Sequence, residues 1–267
     1  MPTITWPPTV DSFRQLLTLT SRVRYLFWVI TGRGRPIELT LRESLQLRLR
    51  SHSKLSNDYG VAYEIFVHDM YRPALRLDRA SVKHVIDLGG NSGFTVIRFL
   101  SWFPNCRVIA VEPHPRHADA LRQNVALNGW MDRVELVQAA AGPRQARAKL
   151  TDQGSGAKLG AETGIDVDVI DIFPLLLGRR IDVLKIDIEG SEHGILDDPR
   201  FAEIDARAVL MEWHRVKDVQ DARERCCARL SSLGHTIDES FIVPGAGMIY
   251  GFRNQQETRA ATEGLRP

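Results

Sequence analysis

The stretch Val85-Ile86-Asp87-Leu88-Gly89-Gly90-Asn91-Ser92-Gly93 decides the fold of this chain. Its apolar start predicts a buried strand, its glycines predict a tight turn, and the apolar pattern of residues 94–102 predicts a helix. A doubly wound sheet uses this strand–turn–helix order to bring backbone N–H groups close to a ligand. A second apolar strand, residues 108–112, ends in Glu112, about 20 residues after the glycines, where an acid can bind ribose hydroxyls.

The turn differs from the two common phosphate-binding patterns. Its D-x-G-x-N-x-G sequence has Asn91 and Phe94 where a dinucleotide site needs glycines, and it lacks the G-K-[ST] of a P-loop. No lysine or arginine lies between Asp87 and Phe94. Asp87 favours a ligand with a cationic amine, and S-adenosylmethionine has both that amine and a ribose for Glu112. The alternative is an ordinary tight turn with a chance acid.

Three further runs accompany the turn, and together they resemble the FkbM-type S-adenosylmethionine-dependent methyltransferases of the class I fold. The runs are Val111-Glu112-Pro113-His114-Pro115, Asn124-Val125-Ala126-Leu127-Asn128-Gly129 and the most distinctive, Leu184-Lys185-Ile186-Asp187-Ile188-Glu189-Gly190-Ser191-Glu192. The resemblance covers about residues 80–253. It implies S-adenosylmethionine as cofactor, a segment 138–140 that contacts the adenine, and methyl transfer to hydroxyl groups of sugars, glycolipids or polyketide-type products.

Composition and charge place the chain among ordinary globular proteins. It has 267 residues, of which 43% are hydrophobic and 25% charged, and a net charge of +2 that is too small to indicate nucleic acid as a partner. The three cysteines, Cys106, Cys226 and Cys227, form no disulfide framework, so we expect a reducing cytoplasm. The start of the chain has no basic region typical of a signal peptide.

The order of predicted elements indicates an α/β, Rossmann-like sheet of seven strands, mostly parallel, with the last strand antiparallel. Residues 1–80 form a mostly helical, basic extension that we expect to cap the substrate entrance, residues 81–253 the methyltransferase domain, and residues 254–267 a polar tail. The predicted strands are residues 82–88, 107–112, 134–140, 181–188, 208–213, 236–243 and 247–253. Segments 146–150 and 167–172 are expected to pair as a hairpin beside this sheet.

The N-terminal extension contains an aromatic segment between arginines. The run Tyr25-Leu26-Phe27-Trp28-Val29-Ile30 lies between Arg22 and Arg24 on one side and Arg33 and Arg35 on the other. It is too short to cross a bilayer. Such a helix could make a peripheral contact with an anionic membrane, although we favour packing on the catalytic domain. Nothing in the sequence argues against a homo-oligomer.

Acidic residues and a histidine recur where the predicted strands end. Ligands of an open α/β sheet bind at these carboxyl ends. Alternation places Lys185, Asp187 and Glu189 on one side of their strand, and a lysine inside an apolar strand needs a partner such as Asp187. His214 has the ordinary pKa of a base near neutral pH, so we predict that it removes the acceptor's proton, with Asp187 orienting it. Asp187 and then Glu189 are the next candidates for the base.

These patterns predict two sets of site residues. The catalytic set is His214, Asp187, Lys185 and Glu189. The cofactor-binding set is Asp87, Gly89, Gly90, Asn91, Gly93, Glu112, Pro113, Ala140 and Asp187.

Other interpretations of the same residues remain open. Glu189 or Glu192 could belong to an ion-pair network that only orders loops. A divalent metal could bind Asp187, Glu189, Glu212 and His214, but we favour a metal-free mechanism because no dedicated metal motif is present. A non-catalytic S-adenosylmethionine-binding protein is a further alternative. A nicotinamide-dependent oxidoreductase is a weaker one, because the G-x-G-x-x-G pattern fails.

Overall fold

The computed structural model describes residues 15–31, 35–50, 57–151, 157–160, 162–216, 219 and 221–253, without the side chains of Phe241 and Ile242. The predicted polar tail at 254–267 and Arg33 lie outside these residues. In the part of the chain that the structure describes, no helix has the length and apolar character needed to cross a membrane.

The N-terminal region combines helices with a small β-ribbon. Helix α1 (Leu19–Ile30) is followed by strands β1 (Ile37–Thr40) and β2 (Gln46–Leu49) and by helix α2 (Asp58–Phe66). The helices confirm the expected helical character, while β1 and β2 pair as an antiparallel ribbon that the sequence analysis did not predict. The ribbon forms because its leucines alternate with polar residues, which gives a strand one buried face. The buried leucines are Leu39, Leu41, Leu45, Leu47 and Leu49.

The remaining chain alternates strands and helices. In order, they are β3 (His84–Leu88), α3 (Phe94–Trp102), β4 (Arg107–Val111), α4 (Pro115–Leu127), β5 (Val134–Val137), β6 (Ala140–Gly142), β7 (Ala146–Leu150), β8 (Ile165–Asp171), α5 (Phe173–Leu176), β9 (Arg180–Ile186), α6 (Glu192–Leu196), β10 (Asp205–His214), α7 (Ala222–Ser232), β11 (His235–Val243) and β12 (Ala246–Arg253). Short 3₁₀ turns cover Arg72–Arg76, Met131–Arg133 and Pro199–Glu203.

The central sheet has seven strands in the order β11-β12-β10-β9-β3-β4-β5. Strand β12 is antiparallel to both of its neighbours, and the pairs between β10 and β5 are parallel, which confirms the predicted sheet. Strands β7 and β8 form the expected hairpin. Strands β3 and β9 are parallel neighbours, so the segments that directly follow them lie side by side at one edge of the sheet.

The end predicted for the third strand is wrong. We expected the third strand to run to Ala140, but β5 ends at Val137 and Ala140 begins β6 in a separate three-stranded sheet, β6-β8-β7. The chain turns sharply between them, where the Ala139 N–H donates to the carbonyl of Val137 at 3.1 Å. This turn directs Ala140 and Ala141 toward the carboxyl ends of the central strands.

Two hydrophobic cores cover the two faces of the sheet. One contains side chains of α3 and α4 together with those of α1, the ribbon and α2, so the N-terminal region shares its core with the sheet. The other contains side chains of α5, α6 and α7. This arrangement is a doubly wound sheet with its strand ends left open for a ligand.

Two asparagines from the family-like run attach the ribbon to α4. Asn124 accepts a hydrogen bond from the Arg48 N–H at 2.7 Å and donates to the Ser92 carbonyl at 2.9 Å. One helical turn later, Asn128 accepts from the N–H of Gln46 at 2.9 Å and donates to its carbonyl at 2.8 Å. The asparagines therefore satisfy an exposed strand edge much as a neighbouring strand would. Asn124 also connects this edge to the glycine turn.

Candidate active site

The glycine turn passes directly against the end of β9. Gly89 has φ +88°, and a Cβ atom there would lie 1.8 Å from the backbone oxygen of Asp187. Only glycine permits both that conformation and that approach. Gly90 and Gly93 serve a different purpose, since a Cβ at either position would lie within 3 Å of Leu121 on α4. Gly90 and Gly93, predicted to bind the cofactor, thus let α4 pack closely against the turn.

A cleft that is open to solvent lies at the carboxyl ends of β3, β4 and β9. Its lining includes the predicted cofactor residues Gly89, Asn91, Glu112, Pro113, Ala140 and Asp187. It also includes Glu189, assigned to the catalytic set, and His117, which we had not selected from the sequence. The imidazole of His117 lies 3.5 Å from Glu112, at the first turn of α4.

Glu112 is held in place by backbone donors. Its carboxylate accepts hydrogen bonds from the N–H of Asn91 at 2.8 Å and the N–H of His114 at 2.9 Å, and only 5% of the residue is exposed. Each carboxylate oxygen can accept more than one hydrogen bond. The acid is therefore oriented into the cleft with acceptor capacity left for a hydroxyl-bearing ligand.

Asp87 does not line the cleft. It is completely buried, and Lys185 Nζ lies 3.0 Å from its carboxylate, so the chain itself supplies the cation that we had assigned to a ligand. The same Nζ donates to the Gly89 carbonyl at 2.6 Å and lies 3.5 Å from Asp187. Burial raises the pKa of Asp87, and Lys185 opposes that effect. Burial alone would lower the pKa of Lys185, but Asp87 and Asp187 raise it, so the lysine stays charged beneath the turn.

The acids and the histidine that we predicted from the sequence come together at the ends of β9 and β10. We refer to Asp187, Glu189, Glu212 and His214 as the acid–histidine cluster. His214 Nε2 lies 3.6 Å from Glu189 and 3.8 Å from Glu212. Asp187 and Glu189 also line the cleft, so the cluster and the cleft share an edge. Glu189 adopts a left-handed backbone conformation, φ +56°, which is uncommon for a non-glycine residue and is typical of functional loops.

Glu192 orients the imidazole of His214. The side chain of Glu192 is fully buried and accepts hydrogen bonds from the backbone N–H of His214 at 2.8 Å and from Gly190 at 2.8 Å. Its carboxylate also lies 3.0 Å from Nδ1 of His214. Because Nδ1 faces an acid, the other ring nitrogen, Nε2, is the one that faces Glu189 and Glu212. His193, on α6 beside Glu192, contacts the His214 carbonyl at 3.1 Å.

The proximity of these acids changes their protonation. Burial lowers the pKa of His214, but the hydrogen bond and charge of Glu192, with the charges of Asp187 and Glu212, raise it to about 9. Burial and the charge of Asp187 raise the pKa of Glu212 to about 8 and that of Glu189 to about 7. His214 is therefore mostly an imidazolium at neutral pH, in contrast to the ordinary pKa assumed from the sequence.

Two residues of the N-terminal region join the cluster and were missed in the sequence. Burial and the charges of Asp187 and Glu189 raise the pKa of Glu64, on α2, to about 7. The hydroxyl of Tyr71 donates to the Asp187 carboxylate at 3.5 Å. The available signal was an acid among apolar residues, Tyr63-Glu64-Ile65-Phe66, because such an acid rarely faces a core without a purpose. Only the tertiary packing brings α2 to the ends of β9 and β10.

Three of these side chains have the spacing of a metal site. Asp187, Glu212 and His214 each offer one ligand atom, and these atoms lie within 4.8 Å of one another. Carboxylate oxygens with one imidazole nitrogen are suitable ligands for magnesium or manganese. Glu189 is not part of this group of three.

Comparison with known families gives a match over the region that builds the site. The sequence model of the Methyltransferase FkbM domain matches residues 87–239, which is more than half of the chain. The matched segment contains the glycine turn, Glu112, the run from Lys185 to Glu192, and His214.

Two curated relatives carry names of O-methyltransferases. The O-methyltransferase imqG of Aspergillus flavus is 34% identical over 68 residues, which make up 26% of this chain and 28% of that protein. The 2-O-methyltransferase NoeI of Sinorhizobium fredii is 30% identical over 114 residues, 43% of this chain and 44% of that protein. The chain spans less than half the length of each. Among solved structures, a protein described as a transferase from Pyrococcus horikoshii aligns with a TM-score of 0.50 at 12% identity, covering 88% of this chain and 84% of that chain. That likeness shows the fold alone.

Proposed function

The chain belongs to the FkbM methyltransferase family, and from that premise we propose that it is an S-adenosylmethionine-dependent O-methyltransferase. Its acceptor is a hydroxyl group of a sugar-containing, glycolipid or polyketide-type molecule. The names of the two curated relatives support O-methylation. The observation that carries the proposal is the edge shared by the cleft and the acid–histidine cluster, where Asp187 and Glu189 belong to both.

The lining of the cleft fits this cofactor. Glu112 keeps acceptor capacity for ribose hydroxyls, and the alanines Ala140 and Ala141 offer an apolar surface for a planar base. Acidic groups outnumber basic ones around the cleft, which suits a ligand that carries a sulfonium and an ammonium group. Because Asp87 is paired with Lys185, we propose that Asp187 and Glu189 are the acids that contact these cationic groups of the cofactor. Asp87 and Lys185 then support the turn from beneath.

When bound, S-adenosylmethionine supplies an electrophilic methyl group, so the protein needs no covalent intermediate. The chain's own residues must orient the acceptor hydroxyl and remove its proton. Asp187 orients the hydroxyl from the shared edge. His214 removes the proton through Nε2, while Glu192 holds Nδ1 at 3.0 Å and thereby fixes the ring. Only the neutral imidazole can act as a base, so turnover should rise with pH up to about 9.

The experiment that tests the base compares His214→Ala with His84→Ala. His84 is exposed at the start of β3, at the end of the strand that lies away from the cleft. His214→Ala should lower turnover about 10²–10⁴-fold, the usual contribution of a positioned base. The affinity for S-adenosylhomocysteine should hardly change, because His214 does not line the cleft. His84→Ala should match the unmodified chain. Full activity of His214→Ala would move the base elsewhere, with Glu189 the next candidate.

A metal-assisted version of the same reaction is favoured by one observation, the convergence of Asp187, Glu212 and His214. A divalent ion held there would acidify the acceptor hydroxyl. In that case a chelator should abolish turnover, and magnesium or manganese should restore it. If a chelator leaves turnover unchanged, the result supports the metal-free mechanism.

The acceptor class can be tested directly. The full chain is incubated with methyl-labelled S-adenosylmethionine and separate glycolipid, polysaccharide and polyketide extracts. Label that is recovered in an ether linkage to a sugar or polyketide hydroxyl would support the proposal. Label on nitrogen or carbon atoms would contradict O-methylation.

We also propose that the N-terminal region covers the acceptor site as a cap, and that the chain forms a homo-oligomer.

A further inference from the structure

Helix α1 has two faces of different character. Its inner face is buried and packs on the rest of the chain through Ser21, Tyr25 and Trp28. Its outer face carries large apolar side chains that the protein leaves in solvent. The exposed fractions are 78% for Leu19, 64% for Val23, 38% for Leu26, 69% for Phe27 and 81% for Ile30.

These five residues form one continuous stripe. At 3.6 residues per turn they fall within an arc of about 100° on the helix surface. Elsewhere in the described residues, only Met131 and Val243 are large apolar residues with comparable exposure. Single exposed apolar residues are ordinary, but a contiguous stripe indicates an interaction surface. We refer to Leu19, Val23, Leu26, Phe27 and Ile30 as the apolar stripe.

The charges around the apolar stripe are basic. On the helical wheel Arg22 and Arg24 lie on opposite flanks of the arc, and α1 contains no acidic residue. Arg24 and Arg35 line a depression beside Phe27 and Trp28, and the structure records no ion pair for either arginine among the described residues. The one acid of this depression, Glu38, is paired with Arg48 at 2.6 Å.

We propose that the apolar stripe docks α1 onto an anionic lipid surface, parallel to the plane of the membrane. Apolar side chains on one arc with arginines on its flanks are typical of helices that lie in the membrane interface. There, long arginine side chains reach the headgroups while the apolar groups enter the acyl boundary. The inference does not rest on the proposed methyl transfer.

A lipid surface fits this stripe better than a second protein. A helix of 12 residues is about 18 Å long and about 10 Å wide, so its footprint is on the order of 200 Å². A stable protein interface needs about 800 Å² on each partner. A bilayer needs no matching shape, and its anionic headgroups complement Arg22, Arg24 and Arg35.

The test measures co-sedimentation of the full chain with vesicles of phosphatidylcholine alone or mixed equally with phosphatidylglycerol. We expect at least tenfold stronger partitioning to the anionic vesicles, reduced by high salt, because each arginine near such a surface contributes roughly fivefold. The double substitution Val23→Asp and Phe27→Asp should reduce partitioning at least tenfold. Met131→Asp, which alters an exposed apolar residue outside the apolar stripe, should have no effect. Circular dichroism checks that each variant is folded.

Three results would overturn the proposal. One is equal sedimentation of the double variant and the unmodified chain. Another is a chain that does not sediment but whose dimer, measured by light scattering, dissociates in the double variant, which would assign the apolar stripe to a second copy. The third is sedimentation only after residues 2–14 are deleted, which would make the chain's own N-terminal segment the partner of the apolar stripe.

Discussion

Glu192→Gln should lower the pKa of His214 while leaving the imidazole in place. Glu192 is fully buried, and its carboxylate contacts Nδ1 and the backbone N–H of His214. A glutamine keeps an acceptor oxygen for these contacts but removes the negative charge. The fold should survive, with a cost of about 1–3 kcal/mol because the N–H of Gly190 loses its acceptor.

The size of the effect follows from the pKa of His214. That pKa is about 9 against an ordinary 6.5, although burial lowers it. Since one pKa unit corresponds to about 1.4 kcal/mol, the acids together favour the imidazolium by at least about 3 kcal/mol. Glu192 is the acid closest to the ring and the leading cause of the increase. We therefore expect Glu192→Gln to lower the pKa by roughly one to two pH units.

Two assays measure this change. Proton–carbon NMR follows the imidazole signals of the eight histidines against pH, and the signal missing in His214→Gln assigns the residue. The rising limb of the turnover–pH profile should move to lower pH by the same amount. Glu203→Gln, at an exposed acid away from the site, is the control for loss of one charge. If the folded Glu192→Gln variant keeps both the NMR titration and the pH profile of the unmodified chain, the proposed pairing is refuted.

Three further predictions concern the turn, the cofactor and the pH dependence of stability. Gly89→Ala should destabilise the chain by more than about 3 kcal/mol because its Cβ would meet the Asp187 carbonyl. Gly129→Ala, at φ +71° in open space, should cost about 1–2 kcal/mol. Chemical denaturation measures the free energy of unfolding of both variants. S-adenosylhomocysteine should raise the melting temperature, and Glu112→Ala should weaken its binding by about 1.5–3 kcal/mol for each hydrogen bond lost, measured by calorimetry; stabilisation by NAD instead would contradict the cofactor assignment. The pKa values of Glu64, Glu189, Glu212 and His214 are raised, so the folded chain binds extra protons. These groups contribute their full stabilisation below their ordinary pKa values. That contribution is lost as the pH rises through about 7 to 9. The ligand-free melting temperature should therefore fall from pH 6 to 9, and Glu212→Gln should recover on the order of 5 kcal/mol at pH 9. A melting temperature that does not fall over this range would contradict the pKa assignments.

The sequence was sufficient for the features that depend on short-range patterns. Alternating apolar runs predicted the seven strands, and the small residues from Gly89 to Gly93 predicted the turn between β3 and α3. Because ligands bind at the carboxyl ends of such strands, the same patterns also predicted which acids would approach one another. The ribbon was missed because its five leucines were assigned to a helical region, although their spacing of two residues also fits strands.

Only the tertiary structure decided which partner each charged group has. Asp87 lies at the end of β3 and Glu112 directly after the neighbouring β4. Asp87 is nevertheless paired with Lys185, 98 positions later in the chain, while Glu112 faces the cleft. The pKa of His214 depends on Glu192, and that of Glu64 depends on how α2 packs over the sheet. These contacts join residues distant in the chain, and their energies depend on separation and burial that no local pattern specifies. The sequence by itself therefore determined the fold and the location of the site, while the three-dimensional packing determined the charge state of the residues within it.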